Sequence, residues 1–242
     1  MSEKKVSEAI VYRRSVRIFD DKEKVITGTV KNCLEQAHLA PSSSNLQLWE
    51  FQHITSEEKC KLVAKTCFNQ PAARTAQQFV VVVVRRDLWR QRVAANIEYI
   101  KKGFLKKNIV DPDTQKKALG YYQEIIPQLY KGGNPFRGFL NKLVMGIKGL
   151  SKTTYREVNA SDLRVVAHKS AALAAQNFMV SMAGHGYDTC PMEGFDSKQV
   201  KKLLKLPAGS EISMIIGCGI RKPEGVYGER FRVPFEEVYK EL

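Results

Sequence analysis

No apolar stretch in this chain approaches the roughly 20 consecutive residues that cross a bilayer. Its start, Met1-Ser2-Glu3-Lys4-Lys5, lacks the apolar core of a secretory signal, so a cytoplasmic location is expected. Cysteine is sparse. Cys33, Cys60, Cys67, Cys190 and Cys218 are odd in number, widely spread and contain no CxxC pair. That pattern argues against a disulfide framework or a cysteine-rich zinc site and suits reduced thiols. His38, His53, His168 and His185 lack the spacing of metal ligands, so no metal site is expected. GxSxG, P-loop and GxGxxG motifs are all missing, which leaves a serine hydrolase, a Walker-type NTPase and a Rossmann dinucleotide fold without support. Internal repeats, low-complexity tracts and dividing linkers are absent too.

What is present is the composition of an ordinary globular protein, 43% hydrophobic and 26% charged over 242 residues. That length favours a single domain, residues 1–242, with one well-filled core. The net charge of +14 raises the question of nucleic acid. Its distribution answers it: residues 85–157 hold 16 Lys/Arg against 6 Asp/Glu, ten of the fourteen net charges. The excess belongs to a basic helical insertion at about 85–159, no nucleic-acid-binding module is recognisable, and no nucleic-acid partner is expected.

Apolar periodicity outlines the elements. Ser7–Tyr12 reads as a short helix, and Thr29–Leu39 as an amphipathic one with Val30, Cys33, Leu34 and Ala37 on one face, ended by Pro41. Trp49–Ile54 and Phe79–Val84 read as strands, the second buried on both faces. From Leu88 to about Tyr155 the pattern is helical but interrupted, with an apolar stripe from Phe136 to Leu150. An alanine-rich helix spans about 162–183, closed by Gly184 and Gly186. Tyr187–Cys190 and Ile212–Gly217 are further strands with a helix at Val200–Leu204 between them, and Tyr227–Leu242 reads as an arm.

Five segments carry residues suited to chemistry. Arg13, Arg14 and Arg17 surround Ser15; forked guanidinium groups and a hydroxyl match phosphate oxygens, and they equally suit a solvated basic turn. Pro41, Ser42, Ser43, Ser44, Asn45 and Gln47 form a polar turn-forming loop whose side chains cap backbone or hydrogen-bond a ligand. Asn69, before Pro71, is a ligand contact or a turn residue. Pro191, Met192, Glu193 and Gly194 follow a strand, Gly194 permitting close backbone approach and Glu193 standing before a helix capped by Asp196 with Gln199 three residues on. Arg230 and Arg232 alternate about Phe231, so an extended arm turns both to one face. Cys190 lies directly before Pro191, and nothing in the sequence lowers its pKa.

Taken together, Arg-Arg-Ser-x-Arg, Ala-Pro-Ser-Ser-Ser-Asn-x-Gln-x-Trp and Pro-Met-Glu-Gly-Phe-Asp resemble the FMN-dependent nitroreductase family over about residues 8–84 and 160–234. The resemblance implies an α+β, nitroreductase-like fold: a central mixed β-sheet flanked by helices, in an intertwined homodimer whose C-terminal arms are exchanged. It implies FMN as cofactor and NAD(P)H as reductant, in a two-step reaction with a nitroaromatic, quinone or similar flat acceptor. FMN phosphate and ring fall to Arg13, Arg14, Ser15 and Arg17; the partner's flavin to Pro41, Ser42, Ser43, Asn45 and Gln47. Asn69, Pro191, Met192, Glu193 and Gly194 fall against the ring, and Arg230 and Arg232 on the phosphate. A fixed cation near N1 and O2 would stabilise the charge of the reduced ring. Chemistry would then rest on the cofactor, with Glu193 and Gly194 the nearest protein candidates. On the same fold, reductive dehalogenation or ring dehydrogenation is the alternative. Outside it, a basic peripheral protein would touch anionic membrane through residues 136–150.

Overall fold

The computed structural model describes residues 3–130, 144–147 and 149–242. Its centre is a four-stranded sheet in the order β1-β2-β4-β3, with β1 Trp49–Ile54, β2 Gln78–Val84, β3 Asp188–Met192 and β4 Glu211–Gly219. All three ladders are antiparallel, Phe51 facing Val82 and Val81 facing Ile215, with an irregularity at Val82/Val83. The sheet is mixed only at one edge, where Ser15 makes a parallel bridge to Thr189.

Every residue of β2 is buried. The strand period of two sends Val80, Val82 and Val84 to one face and Phe79, Val81 and Val83 to the other. On the first face lie α2 (Thr27–His38), through Cys33 and Ala37, and α8 (Ala160–Gly184), through Ala171, Ala174, Ala175 and Phe178. The alanines bring α8 close to α2 and to the sheet. The second face is covered by α3 (Glu57–Thr66), α4 (Pro71–Thr75) and α9 (Ser197–Leu203), contributing Val63, Ala64, Ala72 and Val200. The helices α3 and α4 fall in a stretch to which the sequence pattern assigns no element.

The basic region holds α5 (Trp89–Lys106), α6 (Pro112–Gly120) and α7 (Ile126–Tyr130), the last two joined by a π-helical turn at Tyr121–Ile125. A third small core, Leu46, Leu48, Trp89, Val93 and Ile126, ties it to the serine-rich loop. The predicted Phe136–Leu150 stripe falls largely outside the described residues. Among those described, no helix is long and apolar enough to cross a membrane.

Helix α1 (Val6–Tyr12) packs beside the C-terminal half of α8, with the Lys4 N–H on the Gly184 carbonyl at 2.9 Å. From Tyr227 to Leu242 every residue is exposed, and only Phe235–Val238 forms a short helix, α10.

Candidate functional site

Tyr12 ends α1 with its hydroxyl donating to the Gly186 carbonyl at 3.1 Å. Arg221 closes this corner. Its guanidinium pairs with buried Asp188, donates to the Tyr12 carbonyl at 3.0 Å and lies 4.2 Å from the Tyr12 ring centre. The chain direction at Arg13 is therefore set by an ion pair whose carboxylate is buried and whose guanidinium is partly exposed. Beyond it the backbone runs along β3, the Val16 N–H donating to the Thr189 carbonyl at 3.1 Å. Arg17 thereby reaches Cys190, with Nη1 3.6 Å from Sγ.

The C-terminal segment folds onto the same place. The Arg17 N–H donates to the Gly225 carbonyl at 2.6 Å, and Arg14 donates to the Gly228 carbonyl at 3.0 Å. Arg230 donates to the carbonyls of Val11 and Arg13, each at 2.7 Å. Between the two segments lies a cavity of about 270 Å³ lined by Arg13, Arg14, Ser15, Arg17, Arg230 and Arg232. The predicted basic residues from both ends of the chain thus meet. Val226, Tyr227, Glu229 and Phe231 complete the lining and have no sequence signal beyond their proximity to the arginines.

Among the described residues, none of the five arginines pairs with a carboxylate. Burial, then the charges of Arg230, Arg232 and Arg14, push the Arg13 guanidinium below the usual arginine range. Five converging cations facing one carboxylate, Glu229, that pairs with none of them carry a cost, and an anion between them removes it through charge-assisted hydrogen bonds. The donor set, forked groups plus the Ser15 hydroxyl, is that of a phosphate site.

The predicted strand end at Cys190 is two residues short. Pro191 and Met192 still pair with Ile216 and Ile215 in β3, because the β4 edge continues beside them, and the chain leaves the sheet only at Glu193 and Gly194. The Gln70 side-chain amide donates to the Gly194 carbonyl at 3.1 Å, and the Asp196 N–H donates to the Thr66 carbonyl at 2.8 Å. Both staples come from the end of α3, where Asn69 takes a left-handed φ of 49°. The end of α3 is thus tied to Gly194 by Gln70, a residue the sequence reading does not single out. A Cβ at Gly194 would find only the Gln70 amide, at 3.8 Å, so one face of this backbone is open to a flat group. Glu193 is exposed and takes no hydrogen bond or ion pair among the described residues. Asp196 caps α9 as predicted, accepting from the N–H groups of Lys198 and Gln199. Cys190 is fully buried; burial raises its thiol pKa against the opposing charges of Arg17 and Arg13.

The serine-rich loop lies elsewhere. The Ser43 N–H donates to the Ser170 hydroxyl on α8 at 3.2 Å. Ser170 and Gly184 stand about 21 Å apart along that helix at 1.5 Å per residue. Ser42 accepts from the Gln47 N–H at 3.0 Å, and the Gln47 amide turns back onto Asn45 at 3.1 Å. One chain therefore joins the arginines to β3 at Cys190 and, through Gln70, the end of α3 to Gly194. Asn69 lines a separate cavity with Cys60, Lys65 and Gln77, and the serine-rich loop, with Pro41, Ser42, Ser43, Asn45 and Gln47, is held beside the middle of α8. A further cavity, about 560 Å³, opens beside this loop between Ser43, Ser44, Tyr121, Tyr130, Tyr155 and aliphatic residues of α7 and α8.

This arrangement has relatives. MhqN of Bacillus subtilis, provisionally named an NAD(P)H nitroreductase, is 39% identical over 227 residues, which cover 93% of each chain. The crystal structure of YdfN, a provisional nitroreductase of Bacillus subtilis, superposes with a TM-score of 0.73 at 22% identity over 98% of both chains. A provisional nitroreductase from Exiguobacterium sibiricum 255-15, solved in complex with FMN, gives 0.69 at 20% identity over 100% of this chain and 99% of that one. The family model described as "Nitroreductase family" matches residues 10–220, from α1 through the strand that closes the arginine corner. With that match spanning most of its length, the chain belongs to the nitroreductase family.

Proposed function

We propose that this protein is an FMN-dependent oxidoreductase that takes hydride from NAD(P)H and delivers it to a nitroaromatic, quinone or similar flat acceptor in a two-step cycle. The observation that carries the reading is the cavity between the chain's two ends, lined by five arginines and a single acidic residue, Glu229, with none of the arginines ion-paired among the described residues. Arg13, Arg14, Ser15, Arg17, Arg230 and Arg232 would hold the FMN phosphate. Asn69 and the Pro191–Gly194 segment, with Met192 and Glu193, would lie along the ring edge beside them. The open backbone at Gly194 leaves room for a planar group. When bound, FMN supplies the redox chemistry, accepting hydride and returning electrons to the acceptor. Arg17, fixed between Gly225 and Cys190, contributes positive charge that favours an anionic reduced ring.

The reading requires a homodimer. Pro41, Ser42, Ser43, Asn45 and Gln47 lie too far along α8 to touch a ligand held by the same chain's arginines. A two-fold axis crossing the α8 helices would bring one copy's loop to the other copy's site and repeat the contact symmetrically. The exposed apolar row of the arm, Phe231, Val233, Phe235 and Val238, fits exchange onto the partner. The tyrosine-lined cavity next to the loop suits a flat, largely apolar acceptor. Five free and buried cysteines suit a reducing cytoplasm.

Purified protein should be yellow, release FMN on denaturation and bleach anaerobically with NADH or NADPH. Arg17→Ala should raise the FMN dissociation constant about 10- to 100-fold, the value of a charge-assisted hydrogen bond. A folded, colourless protein that takes up no FMN would falsify the proposal.

A further inference from the structure

The serine-rich loop is held in a conformation that its own sequence disfavours. Ser44, Asn45 and Gln47 have left-handed φ values of 53°, 49° and 47°. L-residues other than glycine rarely adopt these angles, and such strain persists only where the surroundings enforce it. The enforcing groups come from the basic region. Buried Asn96 on α5 is bonded twice to one residue: its carbonyl oxygen accepts from the Asn45 amide at 2.9 Å, and its own amide donates to the Asn45 backbone carbonyl at 3.1 Å. A third bond, to the Arg92 carbonyl at 2.9 Å, fixes Asn96 on its helix. The π turn at Tyr121–Ile125 supplies the rest. A π turn widens the helix locally, and here two successive tyrosines reach Ser44. The Tyr122 hydroxyl donates to the Ser44 carbonyl at 3.0 Å, and the Tyr121 hydroxyl lies 2.6 Å from the Ser44 hydroxyl.

We propose that Asn96 and Tyr122 are positioning residues that preorganise the Ser42–Gln47 loop for the flavin of a second copy. The inference rests on the functional reading above. It assigns the basic insertion a role at the cofactor: its helices carry the frame that keeps the loop in its binding-competent shape. Without the frame, the loop relaxes to ordinary angles, and the ordering must be restored each time FMN binds.

The test is FMN affinity of the deflavinated protein, measured by flavin fluorescence beside its apoprotein melting temperature. Asn96→Ala should raise the dissociation constant about tenfold and Tyr122→Phe about threefold, sizes expected for one or two hydrogen bonds. The decisive readout is a double-mutant cycle with Asn45→Ala. If Asn96 acts through the loop, Asn96→Ala in the Asn45→Ala background should change affinity by only about threefold rather than about tenfold, because the bond to the Asn45 side chain is already gone and only the one to its backbone carbonyl is left to lose. Wild-type affinity in both single variants overturns the proposal, as does an additive cycle with affinity loss that tracks lowered melting temperature. Should Asn96→Ala not fold, Tyr122→Phe carries the test by itself: an affinity loss of about threefold at unchanged melting temperature supports the frame, and wild-type affinity overturns it. A wild-type protein that binds no FMN contradicts the functional proposal itself; one that binds it while the variants match it overturns only the loop frame.

Discussion

Arg13 is held where its charge is least welcome: half-buried, carrying no salt bridge, and facing Arg230, Arg232 and Arg14. The fold tolerates this because Arg221 and Asp188 fix the end of α1 and Arg230 ties its carbonyls, so the guanidinium groups cannot all turn away. The stored repulsion should be recovered by a phosphate. FMN should therefore bind at least about 100-fold more tightly than riboflavin, which has the same ring and no phosphate, and the gap should narrow with added salt. Titration of the deflavinated protein with both ligands checks this; equal affinities would remove the arginines from the binding site. At this scale the arginines, Ser15, Asn69 and Gly194 are legible in sequence only as candidates, through the family motifs they sit in, since each taken alone equally suits a turn or a solvated face. Gln70 is not: a half-buried glutamine before a proline gives no hint that its amide staples a carbonyl 124 positions away.

At the scale of elements, the strands were the most legible parts. The valine run of β2 can be read from its short, unbroken β-branched composition, which suits a strand buried on both faces, and Trp49–Ile54 from its apolar–polar alternation. Helix α3 escapes because its outer face crowds Glu57, Glu58, Lys59, Lys61 and Lys65 around only a few buried positions. Ser56, whose hydroxyl accepts from the Lys59 N–H, was its one clear start signal. Elements are also joined by charge. Glu211, first residue of β4, meets Arg86 ahead of α5 and both Arg164 and His168 on α8. Burial pushes its carboxyl up, but hydrogen bonds from Arg164 and Arg86, the Arg86 charge and His168 outweigh this and hold it below the ordinary glutamate range. A depressed carboxylate stabilises the fold fully above the unfolded-state pKa, about 4.3, and loses that contribution as pH falls through its lower folded value. Glu211→Gln should lower the melting temperature by about 2–4 °C at pH 7, and the difference should shrink as the pH drops below about 4.3. Calorimetry across that range checks the sign; a constant difference would show that packing, not charge, is lost.

For the whole molecule, the separation of the serine-rich loop from the arginine cavity is the fact with the largest consequence. If the loop serves a partner's cofactor, assembly and FMN binding are coupled and neither is complete alone. A chain truncated after Gly225 retains the sheet and α8 but loses Arg230, Arg232 and the exposed apolar arm. It should sediment with a larger monomer fraction and bind FMN about 100-fold more weakly or worse. Unchanged sedimentation and affinity would show that the arm serves neither purpose.

By itself the sequence determined the sheet's strands, the alanine-rich helix and the residue types that gather around an anion, because these depend on local periodicity and on side-chain chemistry. It also carried the family, through motifs whose order survives wide divergence. Only the tertiary structure decided that both chain ends close one basic cavity, that Gln70 fastens the 191–194 segment, and that Asn96 and Tyr122 force left-handed angles on Ser44 and Asn45. Those are contacts between residues distant in the chain. Hydrogen-bond geometry and the path of the backbone select them, and neither leaves a periodic trace in the order of amino acids.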